Sequence, residues 1–355
     1  MQVPVVMNHD GPSLVEKTEL PAHPRPPCHS ILGVRVVSCG CYVPDGLVTN
    51  EILSQHFNCD VDWIVRRTGI VERRHALPHQ ATSDFCYEAA RQCLERGNVA
   101  PDEIDLILVA TYTPDTSFPA VGNVLQHKLG LRCAAMDINV ACAGFIYAFV
   151  TGATYIKAGL AKKVLVIGGD TNSRIANPLD PKTYPLFGDG AGAVVLQASD
   201  VNTGIASYQL GSDGAGSDML VRPGCGSRIP PEPEMLHQGL QYLKMDGRAV
   251  FRWAVTTLSD SITDVLDYVG LAVSDVDYFI THQANIRIIH AATDVLGIPR
   301  EKVHANVRKY GNTSAGSVPL ALEEAMSMGL IAPGKKVVMS GFGAGLAWGT
   351  LLMNW

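Results

Sequence analysis

The sequence predicts an α/β fold built from two similar halves. From Ile31 onward, short runs rich in Val, Ile and Leu alternate with longer helix-like stretches, which is typical of strands covered by helices. Two segments recur at nearly the same spacing. Residues 104–107 resemble 276–279 at an offset of 172 (276 − 104), and residues 162–166 resemble 335–339 at an offset of 173 (335 − 162). This agreement favours an internal duplication over chance likeness between short strands.

The composition is that of a folded protein of enzyme size. The 355 residues are 47% hydrophobic and 17% charged, with a net charge of −6, which excludes a disordered chain and argues against a nucleic-acid surface. No run reaches the roughly 18 apolar residues of a membrane span, and the start lacks a basic region followed by an apolar block, so we expect a cytoplasmic protein. The nine cysteines are scattered and form no cluster at ligand spacing, so we expect reduced thiols and no metal site.

We divide the chain into three parts. Residues 1–30 contain the proline-rich piece PAHPRPP at 21–27, and we expect them to form a flexible extension. Residues 31–200 form the first half of the predicted duplication, and residues 201–355 form the second. A site built from both halves would lie at their junction, where pockets commonly occur.

The first half holds a candidate nucleophile, Cys142, in the small-residue run VACAGF at 140–145. The stretch 143–158 is rich in Ala and aromatic residues, contains no Pro and is followed by Gly159, which predicts a buried helix that starts beside Cys142. The positive end of the helix dipole would lower the pKa of the thiol and favour the nucleophilic thiolate. Taken alone, a cysteine here is more often an ordinary buried residue, so its partners decide the interpretation.

The second half supplies candidate partners for this thiol. His282 begins the motif HQAN after a predicted strand at 276–280, and Asn312 lies in the loop GNTSA at 311–315. A neutral imidazole and a carboxamide together offer two donors to the oxygen of a thioester as it becomes an enolate. The run GFGAG at 341–345 is expected to turn and to bring a backbone amide close to the substrate.

These motifs resemble those of the β-ketoacyl-acyl-carrier-protein synthase III family. The matching segments are ACAGF around Cys142, HQAN from His282, GNTSA around Asn312, the ending GFGAGLAWG, and WIVRRTGI from Trp63. They occur in order and span nearly all of the chain after Ile31. The resemblance implies the thiolase fold, which is a duplicated five-layer αβαβα architecture, and a homodimer.

The resemblance also implies a reaction. Cys142 would attack an acyl-CoA thioester and carry the acyl group. Malonyl-acyl carrier protein (malonyl-ACP) would then bind, and His282 and Asn312 would hold its thioester oxygen while carbon dioxide leaves. The backbone amides of Cys142 and Ala344 would form the oxyanion site. The products would be a β-ketoacyl-ACP, CoA and carbon dioxide, which is the initiating step of fatty-acid synthesis.

Further positions carry over from the family as binding residues. Contacts to CoA are implied for four of them: Trp63, Arg67, Asn285 and Arg287. Arg252 and Arg287 would face the acidic carrier protein. Phe118 matches a residue that reaches across the dimer to shape the acyl pocket of the partner. The family implies no permanently bound cofactor, since acyl-CoA is a substrate.

Other functions stay open on the sequence alone. A protein of the same fold could pass the acyl group to a hydroxyl or an amine, or could serve a specialised, polyketide-like pathway. A third hypothesis is a non-catalytic dimer partner. The presence of His282 and Asn312 favours decarboxylation, and the presence of Cys142 argues against a non-catalytic role. The Gly- and Pro-rich loop at 211–240 is either a cover over the entrance or a passive excursion.

Overall fold

Two five-stranded sheets form the centre of the computed structural model, which describes residues 25–355. Two further pairs of short strands, β3 with β4 and β10 with β11, lie outside these sheets. The strands are β1 His29–Leu32, β2 Val34–Tyr42, β3 Gly46–Thr49, β4 Glu72–His75, β5 Leu106–Ala110, β6 Ala134–Ile138, β7 Lys163–Asp170, β8 Gly190–Ala198, β9 Gly204–Ser212, β10 Leu220–Val221, β11 Lys244–Met245, β12 Tyr278–Thr281, β13 Lys336–Gly343 and β14 Ala347–Asn354.

Helices connect and cover these strands. They are α1 Asn50–Phe57, α2 Val61–Thr68, α3 Thr82–Gly97, α4 Val121–Lys128, α5 Gly144–Lys157, α6 Pro233–His237, α7 Gly247–Asp267, α8 Ile286–Val295, α9 Val307–Tyr310 and α10 Ser317–Ser327.

The two large sheets repeat a four-stranded topology, β2-β8-β7-β5 in sheet one and β9-β14-β13-β12 in sheet two. Sheet one has the order β2-β8-β7-β5-β6, and sheet two has the order β1-β9-β14-β13-β12. In each sheet a parallel pair, β5 with β7 or β12 with β13, is extended by antiparallel neighbours. The counterpart of β6 is reduced to one parallel bridge between Phe279 and Val303. The first residues of β5 and β12 are 172 positions apart (278 − 106), so the predicted duplication is confirmed.

Five layers arise because each sheet buries both of its faces. Helices α3 and α4 cover the outer face of sheet one, α5 and α10 lie between the sheets, and α7 and α8 cover the outer face of sheet two. Three apolar clusters fill the spaces between these layers. The αβαβα order agrees with the architecture that the family resemblance implies.

The strand β5 shows why its sequence is continuously apolar. Leu106 and Leu108 pack into the central cluster, whereas Ile107 and Val109 pack into the outer cluster beneath α3. Successive side chains of a strand point to opposite faces, so a strand covered on both faces reads as an unbroken apolar run. The side chains of β7 and β13 alternate in the same way. Both strands lead to the junction of the two halves.

The chain already contacts the folded core before residue 31, the predicted start of the first half. The guanidinium of Arg25 pairs with Asp264 of α7 at 2.6 Å, and β1 begins at His29 and pairs with β9. The first described strand therefore completes the sheet of the second half. Residues 1–24 of the predicted extension lie outside the described residues.

Two features bear on membranes and metals. Between residues 25 and 355, none of the helices combines the length and the apolar character that crossing a membrane requires. In the same range, no group of three or more His, Cys, Asp or Glu side chains is arranged to hold a metal ion. The nine cysteines are all free.

Candidate active site

Cys142 lies at the start of a central helix, as predicted. After β6 the chain forms a 3₁₀ turn, Ala141–Ala143, and α5 continues directly from Gly144. Most of the helix is apolar and buried, and it packs between the two sheets, whereas Thr154 and Lys157 near its end are exposed. Gly159 follows its end with a φ of 73°, a left-handed conformation that suits glycine. The thiol is buried, and only 5% of the residue is exposed.

The predicted lowering of the Cys142 pKa is wrong. Burial raises the pKa of the thiol to about 12, and a hydrogen bond from Ser314 and one from the backbone amide only partly oppose this rise. Removing a charged sulfur from water outweighs the stabilisation offered by a helix start. The resting protein therefore holds Cys142 as a neutral thiol.

His282 follows β12 directly, and neighbouring elements fix its ring. Its backbone N–H donates to the carbonyl of Ser340 in β13 at 2.7 Å, and its Nδ1 lies 2.6 Å from the hydroxyl of Ser317. Phe342 meets the ring edge-on, with 5.1 Å between the centroids. Burial lowers the pKa of His282 to about 3, so the imidazole is neutral at physiological pH.

Asn312 lies between α9 and α10 and is held by its backbone. Its N–H donates to the carbonyl of Leu186 at 2.8 Å, and its carbonyl accepts from the N–H of Gly188 at 3.0 Å. The side-chain Oδ1 accepts from the N–H of Ser314 at 2.9 Å. This contact turns Oδ1, which can only accept, toward the loop, and Nδ2 is the donor that this side chain can offer to a substrate.

The three predicted residues meet at one narrow channel of about 90 Å³, which Cys142, His282 and Asn312 line together. Gly343 lines the same channel, and a Cβ placed on it would lie 2.8 Å from Cβ of Cys142. Only a glycine allows β13 to pass this close to the thiol. The two halves thus each contribute one side of the channel.

The run GFGAG forms a turn only in its second part. Residues 341–343 still belong to β13, and the turn to β14 is confined to residues 344–346. The sequence suggested a turn over the whole run, but the two glycines in the strand serve close packing against the Cys142 turn. Ala344 and Cys142 both line a second, larger cavity.

This larger cavity has a volume of about 480 Å³ and a mainly apolar lining. It shares Cys142, Phe187 and Leu220 with the narrow channel, so the thiol stands where the two spaces join. Leu220, Val221 and Leu243, which belong to the excursion between β9 and α7, form one of its walls. The loop whose role the sequence left open therefore covers this cavity.

The outer end of the narrow channel brings several predicted binding residues together. Phe251 and Asn285 line it, and the guanidinium of Arg287 lies over the Phe251 ring at 5.5 Å. Nδ2 of Asn285 donates to the carbonyl of Arg67 at 3.1 Å. Arg252, Arg67 and Arg287 are exposed. Arg67 also covers the ring of Trp63 at 5.3 Å, so one face of this indole is already occupied.

Phe118 lies apart from this site within its own chain. It is 84% exposed, which is unusual for a large apolar residue, and it lines neither cavity of the same subunit. An isolated chain would leave this side chain in water.

Sequence analysis missed three buried polar residues beside the site, namely Ser314, Ser317 and Asp170. Asp170 accepts hydrogen bonds from the Thr113 hydroxyl at 2.8 Å and from the Ala315 N–H at 3.1 Å, which ties the end of β7 to the loop of Asn312. Burial raises the pKa of Asp170 to about 6. Ser314 could have been found, because TSAG at 313–316 repeats ACAG at 141–144 with the offset of the duplication.

The chain is similar to known proteins along most of its length. Two family models match, the 3-oxoacyl-[acyl-carrier-protein (ACP)] synthase III model at residues 136–214 and the corresponding C-terminal model at residues 266–355. The β-ketoacyl-[acyl-carrier-protein] synthase III of Rhodopirellula baltica is 51% identical, with 92% of this chain and 99% of the relative covered.

Solved structures of the same family superpose along most of the chain. The 3-oxoacyl-[acyl-carrier-protein] synthase III of Aquifex aeolicus has a TM-score of 0.85 and 38% identity, covering 91% of this chain and 100% of that one. The priming β-ketosynthase of the R1128 polyketide pathway has a TM-score of 0.84 and 34% identity, covering 94% and 98%. These similarities confirm the thiolase fold. The chain belongs to the β-ketoacyl-acyl-carrier-protein synthase III family of condensing acyltransferases.

Proposed function

We propose that this protein condenses an acyl-CoA with malonyl-ACP, with Cys142 as nucleophile and with His282 and Asn312 as the groups that promote decarboxylation. The observation that carries the proposal is that all three side chains line one buried channel, while a large apolar cavity opens on the other side of the thiol. The channel suits a pantetheine arm and the cavity suits an acyl chain. In this assignment the half at 31–200 supplies the nucleophile, and the half at 201–355 supplies the donors.

The first step transfers the acyl group to Cys142. The sulfur bonds to the carbonyl carbon of the acyl-CoA, the bond between that carbon and the CoA sulfur breaks, and the thiol proton leaves with CoA. The backbone N–H groups of Cys142 and Ala344 stabilise the negative oxygen of the tetrahedral intermediate. Support for this role of Ala344 comes from its position beside Cys142 in the wall of the acyl cavity.

In the second step malonyl-ACP loses carbon dioxide. The bond between the carboxylate and the α-carbon breaks, and its electrons form an enolate whose oxygen accepts from His282 and Asn312. A neutral imidazole with its proton on Nε2 suits this task. The Ser317 hydroxyl supports that tautomer, since it also accepts from the N–H of Gln283 at 3.4 Å and is thereby oriented to donate to Nδ1. The enolate carbon then attacks the acyl carbon, and Cys142 leaves as thiolate.

The outer end of the channel is proposed to bind the carriers. Trp63 and Arg67 would contact the adenine and phosphates of CoA, and Asn285 and Arg287 would line the path of pantetheine. Carrier proteins are acidic, so the exposed guanidinium groups of Arg252 and Arg287 offer complementary charge.

We further propose a homodimer in which Phe118 enters the acyl pocket of the partner subunit. Its 84% exposure in the single chain supports burial against a second copy. The nine free cysteines favour a reducing compartment, so we place the protein in the cytoplasm. No permanently bound cofactor enters the proposed reaction.

A specialised pathway is the second candidate. Its support is the 34% identity to a priming β-ketosynthase of a polyketide pathway over 94% of this chain. The two candidates differ in the primer that the acyl cavity accepts and in the carrier protein that delivers the malonyl group, rather than in the chemistry at Cys142.

Mass spectrometry can test the proposal. The protein is incubated with a panel of acyl-CoAs of increasing length, with and without malonyl-ACP, and the intact protein and the Cys142 peptide are weighed. We expect an adduct on Cys142 that disappears as β-ketoacyl-ACP forms, and no adduct on a Cys142→Ala variant. An adduct that persists with malonyl-ACP but is discharged by alcohols or amines would instead indicate an acyltransferase of another type.

A further inference from the structure

The nucleophile has a counterpart in the other half of the molecule. Cys142 and Ser314 are 172 positions apart, the same offset that relates β5 to β12. Each lies in a 3₁₀ turn that leads into a helix between the sheets, α5 after Cys142 and α10 after Ser314. The duplication therefore brings the two turns face to face across the junction of the halves.

The side chains of this pair touch. The hydroxyl of Ser314 donates to Sγ of Cys142 at 3.2 Å, and Ser314 is fully buried. Tyr112, which lines the cavity beside Cys142, donates to Oδ1 of Asn172 at 2.5 Å. The Ser314 proton is thus directed at a sulfur whose charge changes during the reaction.

The backbone holds Ser314 in a conformation that a serine rarely adopts. Its φ is 53°, in the left-handed region, where a side chain other than glycine is strained. Two hydrogen bonds impose this conformation. The N–H of Ser314 donates to Oδ1 of Asn312 at 2.9 Å, and the N–H of Ala315 donates to Oδ2 of Asp170 at 3.1 Å. The loop is therefore built to aim this hydroxyl at the sulfur.

We propose that Ser314 is a catalytic residue that stabilises the thiolate of Cys142. When the S–H bond breaks, the proton leaves with the departing CoA, and the O–H of Ser314 stays intact and donates to the charged sulfur. When the condensed product forms, the bond between the sulfur and the acyl carbon breaks. The Ser314 hydroxyl then donates again to the sulfur, which has regained its negative charge. The inference rests on the proposed role of Cys142 as nucleophile.

The hydrogen bond from Ser314 to Cys142 is strongest when the sulfur is a thiolate. A hydrogen bond to a charged acceptor is considerably stronger than one to a neutral acceptor, so Ser314 favours the thiolate over the thiol and over the acylated sulfur. Burial acts in the opposite direction on this thiol. A hydrogen-bond donor in a site that excludes water stabilises the thiolate and so allows the buried sulfur to ionise during the reaction.

The test measures alkylation of Cys142 by iodoacetamide as a function of pH, followed on the Cys142 peptide so that the other cysteines do not interfere. We compare the unmodified protein, Ser314→Ala and Ser259→Ala. The second variant removes a buried hydroxyl that donates to the backbone carbonyl of Val255 and lines neither cavity. For Ser314→Ala we expect the alkylation rate at a fixed pH to fall by about tenfold to a hundredfold, with the profile displaced to higher pH. Ser259→Ala should leave the profile in place.

An unchanged profile in a folded Ser314→Ala protein would overturn the inference, as would an equal displacement in Ser259→Ala. Folding is checked by the thermal melting temperature. If Ser314→Ala does not fold, Ser314→Gly replaces it, because glycine suits the left-handed φ of this position. Alkylation needs neither acyl-CoA nor malonyl-ACP, so a failure of the proposed condensation is detected separately, by the absence of an acyl adduct on Cys142.

Discussion

The hydroxyl of Ser317 lies 2.6 Å from Nδ1 of His282 at the first residue of α10. This contact leaves Nε2 as the ring nitrogen for the channel that His282 lines. The helix that carries Ser317 packs between the two sheets, so the orientation of the imidazole is set by the core of the fold.

Removal of this hydroxyl tests the tautomer. We expect Ser317→Ala to slow decarboxylation of malonyl-ACP by about tenfold, since the loss of one hydrogen bond frees the ring to rotate and to change tautomer. Acylation of Cys142 should stay near its normal rate. Ser259→Ala is a matched control, because Ser259 is also buried in a helix and donates to a backbone carbonyl of α7. Equal losses in both variants would contradict the assigned role of Ser317.

Asn312→Ala should separate the two chemical steps. We expect the release of carbon dioxide to fall by about 10²- to 10³-fold, which is typical for the loss of one oxyanion donor, as measured with labelled malonyl-ACP. Acylation should fall far less, although Oδ1 of Asn312 also supports the N–H of Ser314. Decarboxylation at the normal rate in this variant would show that Asn312 does not hold the thioester oxygen.

Gly343→Ala should displace the nucleophile. The new Cβ would lie 2.8 Å from Cβ of Cys142 and 3.2 Å from its Sγ, and such overpacking costs about 1–3 kcal/mol of stability. We expect a lower melting temperature and a loss of acyl-enzyme formation. Gly214→Ala provides the control, because its new Cβ meets no atom within 4 Å. Normal acylation in Gly343→Ala would argue against a fixed position for the thiol.

Burial of His282 should make stability depend on pH. Its folded pKa of about 3 lies below the ordinary value near 6.5, so between these values the unfolded chain binds a proton that the folded chain does not. Stability must therefore fall as pH falls from about 6.5 toward 3, by about 1.4 kcal/mol per pH unit from this group. Denaturant titrations of the unmodified protein and His282→Gln should show this difference in slope. Parallel curves would mean that His282 is not held neutral.

Arg252→Glu should weaken carrier docking without altering the chemistry. We expect a higher KM for malonyl-ACP, a smaller dependence of that KM on salt, and little change in acylation by acyl-CoA, because exposed charges steer an acidic partner. Arg35→Glu is the control, since Arg35 is exposed in β2 and lines neither cavity. Similar changes in both variants would indicate a general effect of net charge.

The core of the fold could be predicted because its buried strands are recognisable as short apolar runs in the sequence. β5 is apolar throughout and β7 is apolar from Val164 to Ile167, and the recurrence of such runs in the second half indicated the duplication. Cys142, His282 and Asn312 could be found because each lies in a short motif beside a strand or helix end. The convergence of the three at one channel depends on how two segments far apart in the chain pack together, which no local pattern encodes.

Other features depend on how deeply a residue is buried and on what packs against it, and these could not be predicted from the sequence. The sequence indicates a helix start beside Cys142, but the amount of water excluded from the thiol decides its pKa, and this follows from the whole assembly of layers. The glycines at 341 and 343 have the composition of a turn, yet they lie in a strand because the Cys142 turn approaches them. Leu220 and Leu243 in the cavity wall follow no periodic pattern.

The pairing of β1 with β9 has a consequence for how the protein is made. Residues 29–32 are synthesised before almost all of the first half, yet their partners at 204–208 appear only after the whole first half has been translated. Contacts between residues this far apart in sequence form late in folding. The second sheet is therefore completed by a strand that precedes the first half in the chain, and loss of that strand would destabilise the half of the protein to which it does not belong in sequence.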